Sequence, residues 1–563
     1  MSKIESLGEK RRDSQPLLRR PRAISAKEFN ALSFEERLVM VHGAQGRDKF
    51  KLLLDAVDGQ QLLQLLPPQD LYLLVKELGY QDSTDLLAMA SPEQIMVCVD
   101  LDSWKGDQID GDKSLEWLLD AIGSDPEELL PRLQGIDFDL LVLILQRSIT
   151  ILKGPEDLGD DDQEPGSGVM PYEFEFTDDE RAKPLYSLIG ALFCQDEIFC
   201  RRLLEALRSE LPSALEEEVY QQRRNRLLEY GFPDPFEALG VYARLDVGSF
   251  DVSEYARPTT LAEPGPVAPG FVLTEVRSRH LLARILEDGI DSGSVWDLSF
   301  LLNRVMVADG VDVGDSVAVQ ETMEQVYGYL NIALEHLCGS SVEKAQEVFE
   351  HSYLLGLFRL GYNLTLELQG EARRLRATSV GPYLDGPYLA LVSALQNKKP
   401  LYSKALDGAT QAGELPFTSL QQMETTRQRL LDVEVQRRLF EVHFGFDLPS
   451  QQDLDESGEP GDDVEPLTLS DYFLTALANR LLGRDFLPMP IARQELADLH
   501  RLVTDNSKLS KILRQQTLDW LESLEPGAET FGDFCLTLWE EEFCALDAAS
   551  LDPRYIGGLL IKE

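Results

Sequence analysis

A chain of 563 residues, 43% of them hydrophobic, is long enough for several domains and can bury a substantial core. Its 98 acidic and 53 basic residues give a net charge of −45, which repels nucleic-acid phosphates and anionic membrane surfaces. The composition therefore argues against nucleic-acid binding, and it is compatible with solubility, with cations and with basic protein partners.

The six cysteines are widely spaced, which argues against a disulfide framework and favours buried free thiols. The closest Cys/His pair, His336 and Cys338, would point to different faces of a helix, so zinc is not indicated. Residues 1–25 are basic and lack the apolar run of a secretory signal, and no apolar stretch approaches the roughly 20 residues of a membrane helix. We therefore expect a cytoplasmic protein with a flexible basic tail and no membrane insertion.

Residues 26–153 follow a helical pattern, with apolar side chains at the spacing of one helix face. Two helix starts are marked by an N-cap residue, a proline and a Glu or Gln of a capping box. They begin at Ser91 and at Asp125. A third, looser start lies at Pro67. Short helices that begin in the same way predict stacked helical hairpins, and hence a helical-repeat domain over 26–153.

The segments Leu66–Leu71 and Ser91–Ile95 resemble the helical superhelix in the cytosolic N-domain of MgtE-type magnesium transporters. Similar helices occur in a flagellar motor switch protein. The resemblance covers about residues 60 to 145 and implies a helical repeat; transport is not implied, since the transporter's membrane helices have no counterpart here. The whole chain also resembles an uncharacterised bacterial protein family, through the segments Tyr230–Tyr242 and Asn303–Gly310. That resemblance implies a bacterial cytosolic protein without an assigned activity.

Changes in composition divide the remaining chain. The predicted parts are an acidic linker at 154–183, a helical segment at 184–250, a Pro-rich linker at 251–270, a central helical domain at 271–448, an acidic linker at 449–466 and a C-terminal helical domain at 467–563. Within the first linker, residues 172–176 alternate and favour an extended segment. The clearest amphipathic stripe comprises Met323, Val326, Tyr327, Leu330, Leu334 and Leu337.

Acidic residues suggest one weak candidate for a metal site. Hard divalent cations prefer several carboxylates at high density, and the candidates are Asp107, Asp110, Asp112 and Glu116. The spacing does not match a calcium loop, so a solvated loop between helices is the favoured interpretation. The second acidic turn, Asp309 to Asp315, favours a turn or capping role.

No motif in the sequence identifies a reaction or a cofactor: a nucleophile elbow, a Walker loop and a dinucleotide-binding glycine motif are all missing. The six histidines are dispersed, although a catalytic group can assemble from distant residues. Basic clusters at residues 223–226 and 373–376 lack interleaved aromatic residues and favour intramolecular ion pairs.

These patterns predict an all-α protein built from blocks of antiparallel helical hairpins, partly solenoid-like, joined by acidic linkers. The favoured hypothesis is a non-enzymatic scaffold or regulatory protein that binds another protein. The charges of Glu367 to Arg376 are candidates for its contact surface. One alternative is an enzyme with a cryptic site in the central domain, and another is a regulator that responds to divalent cations. The oligomeric state and the partner are left open.

Overall fold

The computed structural model describes residues 24–44, 46–122, 126–154, 172–257, 280–288, 290–407, 413–449, 467–505, 507–548 and 551–562. Within these ranges 71% of the residues are helical and the strands are short, which confirms the all-α prediction. Residues 1–23, most of the linker 449–466 and the predicted helix start at Asp125 lie outside the described residues. No helix in the described ranges combines the length and the apolar character that crossing a membrane requires.

The chain divides into two compact units, Met1–Leu360 and Gly361–Glu563, which we call the N-terminal and the C-terminal unit. The division falls within one helix, Leu354–Arg376, and therefore inside the block predicted at 271–448. The predicted domain boundaries stay predictions.

Eighteen α-helices of the described residues lie wholly in the N-terminal unit. They are α1 Ala26–Phe29, α2 Phe34–Gly43, α3 Gly46–Asp55, α4 Gly59–Gln64, α5 Pro68–Leu78, α6 Thr84–Met89, α7 Pro92–Asp102, α8 Gly111–Ile122, α9 Pro126–Gln134, α10 Phe138–Gln146, α11 Asp179–Gln195, α12 Glu197–Ser209, α13 Pro212–Glu229, α14 Pro235–Ala238, α15 Leu281–Asp288, α16 Ser292–Asp309, α17 Ser316–Cys338 and α18 Val342–His351. Helix α19, Leu354–Arg376, contains the boundary.

The helices of the C-terminal unit are α20 Gly386–Gln396, α21 Leu420–Arg438, α22 Leu469–Leu481, α23 Leu496–Val503, α24 Lys511–Leu524 and α25 Glu529–Trp539. Helices α21 and α25 each continue into a π-helical turn, at Leu439–His443 and Glu540–Cys544. Aromatic side chains pack around the first of these turns. They are Phe440, Phe444, Phe446, Phe473, Phe486, Trp520 and Phe531.

The strands pair two by two in the described residues. The antiparallel pairs are β1 Trp104–Lys105 with β2 Gln108–Ile109, β3 Ile149–Lys153 with β4 Glu173–Phe176, β5 Leu401–Ser403 with β6 Glu414–Pro416, and β8 Thr504–Asp505 with β9 Lys508–Leu509; β7 Ile491–Ala492 and β10 Ile561–Lys562 run parallel. The extended segment predicted at 172–176 is thus confirmed, as an edge strand of a two-stranded ribbon.

The predicted helix start at Ser91 is confirmed in detail. The amide of Gln94 donates to the Ser91 hydroxyl at 3.2 Å, and the Ser91 amide donates to the Gln94 side chain at 3.0 Å. The Gln94 amide group also donates to the carbonyls of Leu63 and Leu66, both at 2.8 Å. The side chain of one capping residue therefore also donates to two carbonyls, one in the last turn of α4 and one just after it. At the looser start, helix α5 begins at Pro68 without a side-chain cap.

One hydrophobic core extends from Phe29 to Val219. The block predicted at 26–153 and the first helices of the segment predicted at 184–250 therefore pack together. Helix α17 is enclosed as well, because all residues from Val326 to Leu334 are buried. The stripe predicted on one face of α17 is mostly buried, as expected, but the middle of this helix has no exposed face. Of the six cysteines, five are buried and Cys194 is exposed.

Candidate protein-interaction surface

The four acidic residues predicted as a weak metal site lie around the β1–β2 hairpin, where basic side chains pair with three of them. Asp110 lies 3.2 Å from Lys105 and accepts the Lys113 amide at the start of α8. Asp112 and Glu116 both bind the Arg181 guanidinium of α11, at 2.6 and 3.2 Å.

Asp107, the fourth candidate, lies in the exposed turn of the hairpin. Within the described residues no three His, Cys, Asp or Glu side chains are placed to hold a metal ion. These contacts favour the interpretation as a loop between helices, and metal binding here stays a prediction.

A buried polar junction lies beside this hairpin, centred on Asp102 at the end of α7. Its carboxylate accepts hydrogen bonds from Lys76 at 2.6 Å and from the Trp117 indole at 3.0 Å. The Tyr72 hydroxyl lies 3.3 Å away. Burial raises the pKa of Asp102, but the hydrogen bonds from Lys76 and Trp117 outweigh it and hold the pKa below its ordinary value. Burial, together with the Asp102 carboxylate, raises the pKa of Tyr72.

The second acidic turn, Asp309 to Asp315, lies against the same junction. A β-carbon on Gly314 would stand 2.9 Å from the Tyr72 hydroxyl, so only glycine allows this approach. The Asp312 side chain accepts the amide of Gly314, and Asp315 caps α17 by accepting the amides of Val317 and Ala318. These contacts agree with the turn and capping role that the sequence favours.

The arginines of α13 are also engaged within the chain. Arg226 binds the fully buried Asp100 carboxylate with both Nε and Nη2, at 2.8 and 3.2 Å. Arg223 donates to the Asp100 carbonyl, and its guanidinium lies over the Trp104 ring. Arg224 pairs with Asp234 at 2.8 Å. The prediction of intramolecular ion pairs is thus confirmed for Arg224 and Arg226.

In the C-terminal unit, the charges between residues 367 and 376 are divided. Glu367 and Glu371 lie 3.9 and 3.7 Å from Arg427, whereas Arg373 and Arg374 are exposed. Arg376 donates to the Gly381 carbonyl.

The histidines of the central block differ in their surroundings. His280 is buried and its Nδ1 lies 3.0 Å from the Tyr327 hydroxyl, with the two rings stacked. His336 and His351 are exposed on α17 and α18, and His351 Nδ1 approaches the Glu347 carbonyl at 2.9 Å.

Two segments that carry the family resemblance, 230–242 and 303–310, meet in the N-terminal unit. The Tyr230 carbonyl accepts from Gln69 of α5 at 3.0 Å and from Asn303 of α16 at 2.7 Å. At the other end of the first segment, the Tyr242 hydroxyl lies 3.0 Å from both carboxylate oxygens of Asp309. Helix α16 therefore forms hydrogen bonds with both ends of the loop at residues 230–242.

The loop at residues 230–242 contains Phe236, whose side chain is 88% exposed. The Asp234 side chain caps the Phe236 amide at 2.9 Å and pairs with Arg224 of α13. On the other side, Glu237 pairs with Arg304 of α16 at 2.8 Å. An exposed aromatic side chain thus lies between two residues that form ion pairs, one with α13 and the other with α16.

Other exposed apolar side chains lie on the elements that contact this loop. They are Leu228 of α13, Leu239 after α14 and Trp296 of α16, which are 51%, 49% and 39% exposed. Trp296 packs on Phe300, and the Phe300 ring leaves no room for a β-carbon on Gly231. We call Leu228, Phe236, Leu239 and Trp296 the Phe236 surface. Sequence reasoning missed it, although Asp234-Pro235-Phe236-Glu237 carries an N-cap and a proline, the signal of a helix start.

The protein is therefore all-α, and it exposes the aromatic side chain of Phe236 on a loop that is paired with two helices. Residues 26–562 match the family of unknown function DUF6178, and the chain belongs to that family. Comparisons with curated proteins and with solved structures gave no match. The comparisons do not show the MgtE-type resemblance of residues 60 to 145.

Proposed function

We propose that this protein is a non-enzymatic, cytoplasmic helical scaffold or regulatory protein that binds another protein through the Phe236 surface. The observation that carries the proposal is the exposure of Phe236 between the ion pairs Asp234–Arg224 and Glu237–Arg304. Exposed apolar residues are common singly, but a group that includes two aromatic residues on rigid elements is typical of interaction surfaces.

The two ion pairs have a direct consequence for binding. Surface ion pairs contribute little to the free energy of unfolding, so stability alone does not explain them. They connect the backbone that carries Phe236 to two helices, and a loop that is already ordered loses less entropy on binding than a mobile one. The arrangement is therefore suited to inserting an aromatic ring into an apolar pocket of a partner.

The charge of the chain indicates the chemistry around that pocket. With a net charge of −45, the protein attracts a partner whose contact surface is basic at its rim. The expected partner is a protein with an apolar pocket surrounded by Lys and Arg side chains. Its association should slow as the salt concentration rises, since screening weakens the attraction.

The other two hypotheses receive less support. A cation-responsive regulator would draw on the MgtE-type resemblance, but Asp112 and Glu116 are already paired with Arg181. An enzyme in the central block would need titratable groups that converge on a substrate, and His336 and His351 are exposed on two different helices.

A pull-down from native lysate with Phe236→Ala tests the proposal. We expect the wild-type chain to retain a specific protein and the variant to lose it. A hot-spot residue contributes about 2 kcal/mol or more to binding, which corresponds to roughly a 30-fold change in Kd. The Kd is then measured with the purified partner.

The matched control is Ile198→Ala on α12, because Ile198 is also exposed, at 82%, but lies outside the Phe236 surface. Both variants should unfold within about 0.5 kcal/mol of the wild type, since neither side chain is buried. Equal retention of the same proteins by wild type and Phe236→Ala would overturn the proposal.

A further inference from the structure

The two units contain the same local element, a helix–hairpin–helix, 400 residues apart. In the first, Trp104 pairs with Ile109, and the Asp110 amide donates to the Ser103 carbonyl at 2.6 Å. In the second, Thr504 pairs with Leu509, and the Ser510 amide donates to the Val503 carbonyl at 2.8 Å. We call them the N-hairpin and the C-hairpin.

The similarity includes the residue that closes each hairpin. The Ile109 amide donates to Glu216 of α13 at 2.9 Å, and Glu216 pairs with Arg147. The Leu509 amide donates to Glu540 at 3.3 Å, and Glu540 pairs with Arg514. In both units a glutamate from a later helix thus satisfies the free amide of the second strand, as an open sheet edge requires.

The charges that flank the two hairpins are opposite. Residues 101–116 contain five acidic and two basic residues, whereas residues 501–516 contain one acidic and four basic residues. The flanks of the N-hairpin are covered by basic side chains from other helices, because Lys76 of α5 binds Asp102 and Arg181 of α11 binds Asp112. The acidic flank is therefore neutralised within its own unit.

The corresponding flanks of the C-hairpin are apolar and exposed. Leu502 and Ile512 stand at the positions of Asp102 and Asp112, and they are 57% and 70% exposed. Lys508 and Lys511 are exposed beside them, and Arg501 pairs with Asp498 of its own helix. We call Arg501, Leu502, Lys508, Lys511 and Ile512 the C-hairpin face. It is an apolar surface with a small excess of basic residues, since Asp498 pairs with Arg501 and Asp505 lies opposite Lys508 in the β8–β9 pair.

We propose that the C-hairpin face docks an amphipathic helix of a partner protein that carries acidic residues beside its apolar stripe. Basic side chains of neighbouring helices cover the acidic flanks of the N-hairpin, and the inverted charge of the C-hairpin face favours a helix with acidic side chains. Leu502 and Ile512 supply the apolar contact, and Lys508 and Lys511 supply the charge. The inference extends the proposed scaffold function to a second surface and does not depend on Phe236.

A second copy of this chain is a less suitable occupant. Each copy carries a net charge of −45, so a docked copy brings many acidic groups within the range over which charges repel. A single acidic helix carries few charges. At physiological salt these charges interact over about 8 Å, so they act mainly on the nearby lysines.

The test uses a fluorescent, helix-stabilised peptide of about 20 residues, with leucines on one face and glutamates on the other, bound to the full-length protein. Anisotropy should show saturable binding. Lys508→Glu with Lys511→Glu should weaken it by about tenfold or more, as should Leu502→Ser with Ile512→Ser. Lys51→Glu and Ile198→Ser are matched controls at exposed positions of the N-terminal unit and should leave the Kd unchanged.

Two outcomes would overturn the inference: no binding, or equal binding by wild type and both C-hairpin variants. Sedimentation of the free protein is measured in parallel. If the wild type self-associates and the C-hairpin variants do not, the occupant is a second copy and the partner assignment is wrong. Phe236→Ala should bind the peptide normally, so failure of this inference and failure of the proposed function are distinguishable.

Discussion

The pair Asp100–Arg226 shows what a single buried charge costs this fold. Asp100 is fully buried and Arg226 binds both of its oxygens, so removing the arginine leaves a carboxylate without its counter-ion. We expect Arg226→Leu to lower the free energy of unfolding by about 3–5 kcal/mol, measured by denaturant titration. The exposed pair Arg201–Glu197 is the control, and Arg201→Leu should cost at most about 0.5 kcal/mol. Similar losses in the two variants would contradict this account.

The lowered pKa of Asp102 predicts that the free energy of unfolding depends on pH. Its pKa in the folded state is held below the ordinary value of 3.8 by Lys76 and Trp117, despite burial. The ionised carboxylate therefore contributes stability above pH 3.8, and this contribution is lost as the pH falls through the folded pKa. We expect the difference in unfolding free energy between wild type and Asp102→Asn to be largest near neutral pH and to shrink below pH 3.8. A difference that is constant with pH would show that ionisation of Asp102 does not stabilise the fold.

At the scale of residues, the sequence revealed chemistry only where a local rule applied. The capping box at Ser91 follows from residue types three positions apart, and so it could be predicted. The exposure of Phe236 depends on Arg224 and Arg304, which come from two other helices. No spacing rule connects these residues, so the Phe236 surface required the structure.

At the scale of elements, the start of α7 is coupled to the end of α4. The Gln94 amide donates to the Ser91 hydroxyl, and the Gln94 side chain donates to the carbonyls of Leu63 and Leu66. We expect Ser91→Ala to cost about 0.5–2 kcal/mol of unfolding free energy. Gln94→Ala should cost more, since it also removes the hydrogen bonds of its side chain to the carbonyls of Leu63 and Leu66. Equilibrium denaturation of both variants measures the difference. A larger loss for Ser91→Ala would contradict the proposed coupling.

Helix periodicity predicted α5 and α17, because apolar side chains at helical spacing have to be buried on one side, and the capping signal at Ser91 predicted α7. The β1–β2 and β8–β9 hairpins were not predicted, since strands of two residues are too short to show an alternating pattern. The enclosure of α17 was also not predicted. Asn331 and Tyr329 interrupt the apolar pattern of that helix, yet both are buried.

At the scale of the whole molecule, helix periodicity predicted the fold class, and acidic or Pro-rich segments predicted breaks in the chain. The extent of the cores could not be predicted in this way, because packing depends on contacts between distant residues. The core that runs from Phe29 to Val219 joins helices on both sides of the acidic linker at 154–183. A linker in the sequence thus separates elements along the chain without separating their cores.

The central claim, that the Phe236 surface binds another protein, is tested most directly by photo-crosslinking in the cell. A photoreactive phenylalanine analogue is placed at position 236 and, as a control, at position 198, since both native side chains are exposed. The account predicts that position 236 crosslinks to one protein and that position 198 does not. Crosslinking to no protein from position 236, or the same products from both positions, would contradict it.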